Sequence, residues 1–332
     1  MGPQGGIFIC GETRDGEVAA VTRELITAGR KLADQAGAPL AALLVERSPG
    51  ETAASLIAHG VDRVFAIDSP PLGEGAPGDE AALLTAACRQ LNPSVLLFGD
   101  TDVCRDVAAV IAMRLNGSIT LDCTDVTLDT GSGALLQHKP VYGGNAVAVW
   151  ASEAGRFRVA TLRPRSFSPA GADPARSGEV VNLSVEVEEA GRQAVLLETV
   201  REQVRGRKLE EARVVIAGGG GVGGVEGFAL LEELAAALNG AIGASRVPCD
   251  EGWKPLSLEI GQTGHYVSPG LYLAVGISGA PQHMVGCAGA RVLVAVNRDP
   301  DANVFKEADF GVVGDFREVL PGFIRRYREL QE

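Results

Sequence analysis

Ser278 and His283 stand just beyond the apolar run "LYLAVG", the first in Gly276-Ile277-Ser278-Gly279 and the second in the stretch opened by Ala280-Pro281. Proline in a first helical turn, with serine just ahead, is a helix-start signature. Both residues are therefore expected at the carboxyl end of a strand, where open α/β sheets bind ligands. Two further apolar runs end in polar residues: "VAVNRDP" delivers Asn297 and "VVGDF" delivers Asp315. Gln262 and Thr263 add an amide and a hydroxyl between two glycines. Each has a plain reading alone. A histidine after a glycine turn often caps or packs, and an asparagine before Arg-Asp-Pro often makes a turn. Jointly, polar groups at successive strand ends suit a ligand rich in hydrogen-bonding atoms.

A second candidate is "RVVIAGGGGVGGVEGF", residues 213–228, where a strand runs into a glycine loop and then a helix. Gly218, Gly220 and Gly223 fit GxGxxG, and so do Gly219, Gly221 and Gly224. In that context backbone amides can face a phosphate. An NAD site also needs an acid at the end of the next strand, about 20 residues on. That strand, "GAIGASR", ends in Ser245 and Arg246, so an NADP reading could recruit only Arg246. Seven of the ten residues 218–227 are glycine, so the motif matches in several registers. A turn made of glycine for close packing and an NAD(P)-dependent Rossmann dehydrogenase both stay open here.

The elements that must position these groups read as α/β. Residues 6–11, 41–45, 64–67 and 94–99 are short apolar runs, alternating with helical stretches at 17–36, 51–59, 79–91 and 103–115, which predicts a parallel βαβ sheet. From about 120 to 200 the chain turns strand-rich, with a Pro/Gly/Ser loop, "SPAGADPARSG". A polar, charged helix over 198–212 is the expected linker, after which βα alternation restarts. The fold class is therefore α/β in two domains. Residues 1–204 form an N-terminal parallel-sheet domain with extra strands, and 205–332 form a C-terminal Rossmann-like domain. At 332 residues, 46% of them hydrophobic, the chain has material for two cores.

Composition excludes some classes. A net charge of −12 disfavours nucleic acid or anionic membrane as a main partner. Six scattered cysteines, no two forming CxxC, read as reduced thiols in a cytoplasmic protein without structural zinc. No apolar run approaches the length of a membrane span, so membrane insertion is not expected. The N-terminal part offers no nucleophile–histidine–acid arrangement, and Asp100, Asp102, Asp122 and Asp125 read as loop acids.

Taken together, "GASR", "GQTG", "LYLAVGISGAPQH", "VAVNRDPDANVFKEADFGVVGD" and "EVLPGFIRRY" resemble the α subunit of electron transfer flavoprotein. The likeness is close over 205–332 and looser before it, through "LLFGDTDVCRDVAAVIAMRL" and "KPVYGGNA". The resemblance implies that the C-terminal domain carries FAD and that a β subunit completes the site on the platform of the N-terminal domain. It implies Ser245 and Ser278 at the pyrophosphate and ribityl region, and Ile260, Gly261, Gln262 and Thr263 along the flavin. Thr263 would lie near flavin N5, Arg246 over the isoalloxazine and His283 near its O2. Gly279, Ala280, Pro281 and Gln282 would continue the loop, with Asn297, Asp315 and Phe316 around the adenosine. A guanidinium and a histidine donor in a dry site would favour the negative charge of one-electron reduction.

The implied role is electron shuttling between flavin dehydrogenases, such as acyl-CoA dehydrogenases of fatty acid β-oxidation, and a quinone oxidoreductase or ferredoxin. A second reading within the family is a bifurcating complex in which the β subunit takes hydride from NADH. A third is a binding module without its flavin. The chain departs from the family pattern at Gly220, where an arginine is expected, at Gly227, where an asparagine is expected, and at Pro281 in place of an aliphatic residue. Phe323, Ile324 and Tyr327 are spaced like one helix face, which suggests a tail docking on the partner subunit.

Overall fold

The computed structural model describes residues 5–14, 16–46, 48–68, 77–144, 146–186, 208–209 and 212–330. The expected linker helix over 198–212 and a cut near 205 fall largely outside the described residues. The chain divides into two compact units, Met1–Val141 with Ala146–Thr199, and Tyr142–Asn145 with Val200–Glu332.

The first unit is built on strands too apolar to face water on either side. Ile7–Gly11, Leu40–Val45, Val95–Gly99 and Arg158–Leu162 are buried at every position, the pattern of parallel strands covered by helices on both faces. The seven-stranded sheet runs, in spatial order, Glu179–Leu183, Arg63–Ile67, Leu40–Val45, Ile7–Gly11, Val95–Gly99, Arg158–Leu162 and Ser118–Cys123. All its pairings are parallel. Helices Ala20–Ala36 and Gly50–Ala58 bury Leu25, Leu32 and Leu56 against one face. Pro77–Leu91 and Asp102–Arg114 bury Leu84, Val107 and Ile111 against the other. Gly37 ends the first helix in the left-handed region, at φ 62°, a turn that glycine takes without a Cβ penalty.

The strand-rich region divides between two sheets. Arg158–Leu162 and Glu179–Leu183 join the parallel sheet, whereas Asp125–Leu128, Leu135–Val141 and Ala146–Ser152 form an antiparallel sheet of three. Gln137, fully buried, ties the two sheets together. Its amide donates to Val159 O (3.1 Å) and its carbonyl accepts from Thr120 and Ser152 (3.1 and 2.9 Å). Of the four acids read as loop residues, Asp122 pairs with Arg163 through two 2.7 Å contacts and Asp125 with Lys31 at 2.7 Å. Asp100 is buried, accepting from Thr161 and Arg105. These are structural roles.

The second unit is a five-stranded sheet in the spatial order Ala241–Ala244, Val214–Gly218, Leu271–Val275, Leu293–Asn297, Phe310–Val313, all parallel. Numbered by chain position this is 2-1-3-4-5, a doubly wound arrangement whose switch point lies between Val214–Gly218 and Leu271–Val275. Along Val214–Gly218 the side chains alternate between two cores. Val215 and Ala217 pack with Tyr272 and Ile260, while Ile216 packs with Phe228 and Leu231 of helix Val225–Ala237. Fully burying Phe228 contributes about 2–3 kcal/mol. In the last helix, Phe316–Glu329, the inward residues are Phe316, Leu320 and Ile324, four apart. Ile324 therefore turns inward while Phe323 stays exposed, so Phe323, Ile324 and Tyr327 do not share one outward face.

Candidate functional site

The polar residues singled out in the sequence collect at the carboxyl ends of the second unit's strands. Five segments are tied there by hydrogen bonds to main-chain carbonyls. Ser245 N donates to Gly218 O (2.9 Å), and Ile260 N to Ala244 O (2.8 Å). Gln262 N donates to Gln282 O (2.7 Å), while Asn297 Nδ2 donates to Ile277 O (2.8 Å).

The glycine loop serves packing. A Cβ on Gly219 would sit 2.3 Å from Gly276 O, and one on Gly218 would sit 2.5 Å from the Phe228 ring. A Cβ on Gly227, where an asparagine is expected, would meet Val222 O at 2.5 Å. The loop's amides are also spent inside the protein. Gly219 N and Gly221 N donate to Val275 O and Gly276 O (2.8 and 3.0 Å), and Val222 N and Gly223 N to Gly219 O and Gly220 O. Few remain for a phosphate. Gly220 is the exception in shape, because its φ is ordinary for an L residue and its Cβ would meet only Val247, at 3.2 Å.

The next turn supplies the amides. After Leu271–Val275 come Gly276 (φ 60°), Ile277, Ser278, Gly279 (φ 82°) and Ala280. Among the described residues, the amides of Ile277, Ser278, Gly279 and Ala280 meet no protein acceptor. Consecutive N–H groups around a left-handed glycine form a concavity suited to an anion. Ser278 is exposed, and its carbonyl accepts from Val304 N (3.2 Å). The helix beyond, Pro281–Cys287, has Pro281 in its first turn, as the sequence predicts. Pro281 and Gln282 are exposed. The helix is only seven residues long, so the turn rather than a macrodipole provides the donors.

Ser245 precedes the helix Arg246–Asp250, and its hydroxyl makes no capping bond. Arg246 is 68% exposed and meets Asp250 at 3.2 Å. Ile260 is buried, and Gly261 at φ 151° lets the chain pass 2.9 Å from Gln282 O, as gauged from a hypothetical Cβ. Gln262 and Thr263 are exposed. The Thr263 hydroxyl donates to buried Glu259 (2.6 Å), so its lone pairs rather than its proton are offered outward.

His283 is placed differently from a surface donor. It is buried, with Nδ1 2.9 Å from Ile260 O and Nε2 2.8 Å from Tyr272 Oη. A carbonyl only accepts, so Nδ1 carries the hydrogen and Nε2 accepts from the tyrosine. Burial pushes its pKa down to about 4, against smaller opposing effects of the Ile260 carbonyl and the Glu259 charge. The ring is neutral at pH 7 and anchors the Ile260–Thr263 stretch from behind.

At the other end of the site, Asn297 uses both ends of its amide, Oδ1 accepting from Asp299 N (3.0 Å). Asp315 caps the helix Phe316–Glu329 by accepting from Arg317 N (2.8 Å), and Phe316 is buried beneath it. These residues line a cleft with Gly221, Gly276, Arg298 and Arg317. Sequence reasoning missed Tyr272, Glu259 and Arg317. Tyr272 and Glu259 lie in stretches that read only as strand and loop, and no motif singles out Arg317.

The residues fit a flavin nucleotide. Amides without an acceptor among the described residues, an uncapped serine hydroxyl, an exposed guanidinium and glycines that let main chains pack closely stand at the carboxyl ends of neighbouring strands. Comparison with known proteins agrees. Residues 7–188 match the electron transfer flavoprotein domain, and residues 208–288 the electron transfer flavoprotein FAD-binding domain. The chain is 37% identical to the electron transfer flavoprotein subunit alpha of Thermoanaerobacterium thermosaccharolyticum, over 98% of each chain. It is 36% identical to that of Bacillus subtilis, again over 98% of each. It is 35% identical to protein FixB of Clostridium saccharobutylicum, over 98% of this chain and 97% of the other. The described residues hold no helix long and apolar enough to cross a membrane. The chain belongs to the electron transfer flavoprotein α-subunit family.

Proposed function

We propose that this chain is the FAD-carrying subunit of a heterodimeric, cytoplasmic electron transfer flavoprotein. In this reading residues 205–332 hold the cofactor and residues 1–204 form the platform for a β subunit. The observation that carries it is the turn Ile277–Ala280, whose four amides meet no acceptor among the described residues, with an uncapped Ser245 hydroxyl and an exposed Arg246 after a strand two places along the same sheet. The Ser278 turn would take the pyrophosphate. Ile260–Thr263 would lie along the isoalloxazine, and Asn297, Asp315 and Phe316 would frame the adenosine. Bound FAD would supply one-electron transfer between a flavin dehydrogenase, such as an acyl-CoA dehydrogenase, and a quinone oxidoreductase or ferredoxin.

The protein's part is electrostatic and positional. Arg246 lends positive charge where reduction adds an electron, and its exposure leaves it free to turn onto a ring. His283, neutral and internally bonded, holds the Ile260 carbonyl and with it the flavin-side loop. An NAD(P)-dependent dehydrogenase is disfavoured, because the glycine loop's amides are engaged internally and no acid follows "GAIGAS".

Purification together with the β subunit and a visible spectrum test the proposal. A yellow protein whose flavin is reduced by an acyl-CoA or related flavin dehydrogenase is expected, and a colourless one would sink the reading. For the role of Arg246, alanine there should lower the first reduction potential by about 60 mV, a tenfold change in the one-electron equilibrium. A redox titration that overlays the wild type would remove Arg246 from the flavin.

A further inference from the structure

The glycine loop carries no cationic side chain between Gly218 and Gly224, yet the structure brings one to it from the far end of the unit. Arg317 opens the helix Phe316–Glu329, and its Nη2 donates to Val222 O at 3.3 Å. The same nitrogen lies 3.8 Å from where a Cβ on Gly223 would stand. Nη1 is 3.7 Å from Asp315 Oδ2, the guanidinium lies 4.7 Å from the Phe316 ring centroid, and the side chain stays 57% exposed. It lines the cleft that also holds Gly276, Asn297 and Arg298.

The capping carboxylate of Asp315 accompanies the guanidinium at the start of this helix. The first turn of a helix presents the positive end of its dipole, where acids are favoured and cations are not. The helix's other first-turn charge is Glu318, and Arg326 and Arg328 sit in the last turn, where the dipole welcomes them. Arg317 stands against the helix field beside Asp315, with part of its guanidinium open to the cleft that it lines.

Resting on the FAD reading above, we infer that Arg317 is a cofactor-binding residue that clamps the adenylate-side phosphate of the dinucleotide against the glycine loop. A guanidinium braced by Val222 O and Asp315 keeps further N–H groups for a phosphate and needs little ordering to meet it. The flavin ring lies outside its reach in this assignment, so Arg317 sets affinity and Arg246 sets potential.

The test uses the full chain together with its β subunit, stripped of flavin and titrated with FAD, ADP and riboflavin. Arg317→Gln should weaken FAD and ADP about tenfold, leave riboflavin unchanged and leave the reduction potentials of the reloaded protein unchanged. Arg317→Lys should fall between. Adding Gly220→Arg to Arg317→Gln should restore most of the lost affinity, since position 220 accepts a side chain with only a small shift of Val247. That recovery would exclude a folding defect as the cause. FAD and ADP affinities within twofold of wild type in Arg317→Gln would overturn the inference and leave the FAD reading standing. A wild-type protein that binds neither FAD nor ADP would overturn both.

Discussion

Gly279→Ala is expected to destabilise the second unit by about 3 kcal/mol and to strip the protein of flavin. Two effects combine. At φ 82° alanine meets the left-handed penalty, of about 1 kcal/mol. Its Cβ would also stand 2.1 Å from Val304 N and 2.5 Å from Val304 Cα, main-chain atoms that cannot swing aside. Relief requires moving the Ile277–Ala280 turn off the start of the helix Val304–Glu307, and with it the Val304 N to Ser278 O bond. The four amides of the turn would move too. Gly252→Ala is the matched control, because Gly252 has φ 71° and nothing within 4 Å of a Cβ. It should cost only about 1 kcal/mol. Urea unfolding followed by Trp253 fluorescence in a Trp150→Phe background compares the two. Equal midpoints would refute the steric argument.

Acid should weaken the second unit through His283 by a calculable amount. The unfolded imidazole takes up its proton near pH 6.5, and the buried one only near 4. Between those values the unfolded chain binds more protons, so stability falls as pH falls, by about 1.4 kcal/mol per unit and about 3 kcal/mol in all. Above pH 6.5 the histidine contributes no slope, and below 4 the loss is complete. In His283→Gln this part of the pH dependence should vanish. The measurement is the difference between wild-type and variant unfolding free energies from pH 7 to 4. A flat difference would mean that the ring is not held neutral by burial between Tyr272 and Ile260. The consequence for the cofactor is direct, since a protonated ring loses the acceptor that Tyr272 requires and loosens the Ile260–Thr263 stretch.

The first unit's alternation of apolar runs and helical stretches was legible because buried parallel strands must be apolar on both faces. Ile7–Gly11, Leu40–Val45 and Val95–Gly99 lie within a residue of the runs that announce them. Glu179–Leu183 was harder. It is mostly exposed, with an edge position beside Arg63–Ile67, so its composition does not distinguish a parallel from an antiparallel neighbour. The alternation of the last helix misled in another way. Ile324 faces inward because Phe316 and Leu320 share its stripe, a choice set by which face meets the sheet.

What the sequence determined by itself was the set of strand ends that carry polar groups, and with it the α/β class and the family. Local apolar runs, glycine turns and the Ser-Gly-Ala-Pro helix start are decided over a few residues, so they can be read there. Only the tertiary structure decided how those groups divide their labour. "GGGGVGG" leaves a packing turn and a phosphate loop both open, and the structure turns the amides of Gly219 and Gly221 into Val275 and Gly276, some 55 residues away in the chain. His283 reads as a capping or packing residue, and the family resemblance implies a donor to the flavin; in the fold Tyr272 and Ile260 take both its nitrogens. No motif singles out Arg317, and the packing of the last helix onto the sheet sets it against Val222. Hydrogen-bond partners and electrostatic neighbours are fixed by distance in space, which strand order sets and sequence spacing does not.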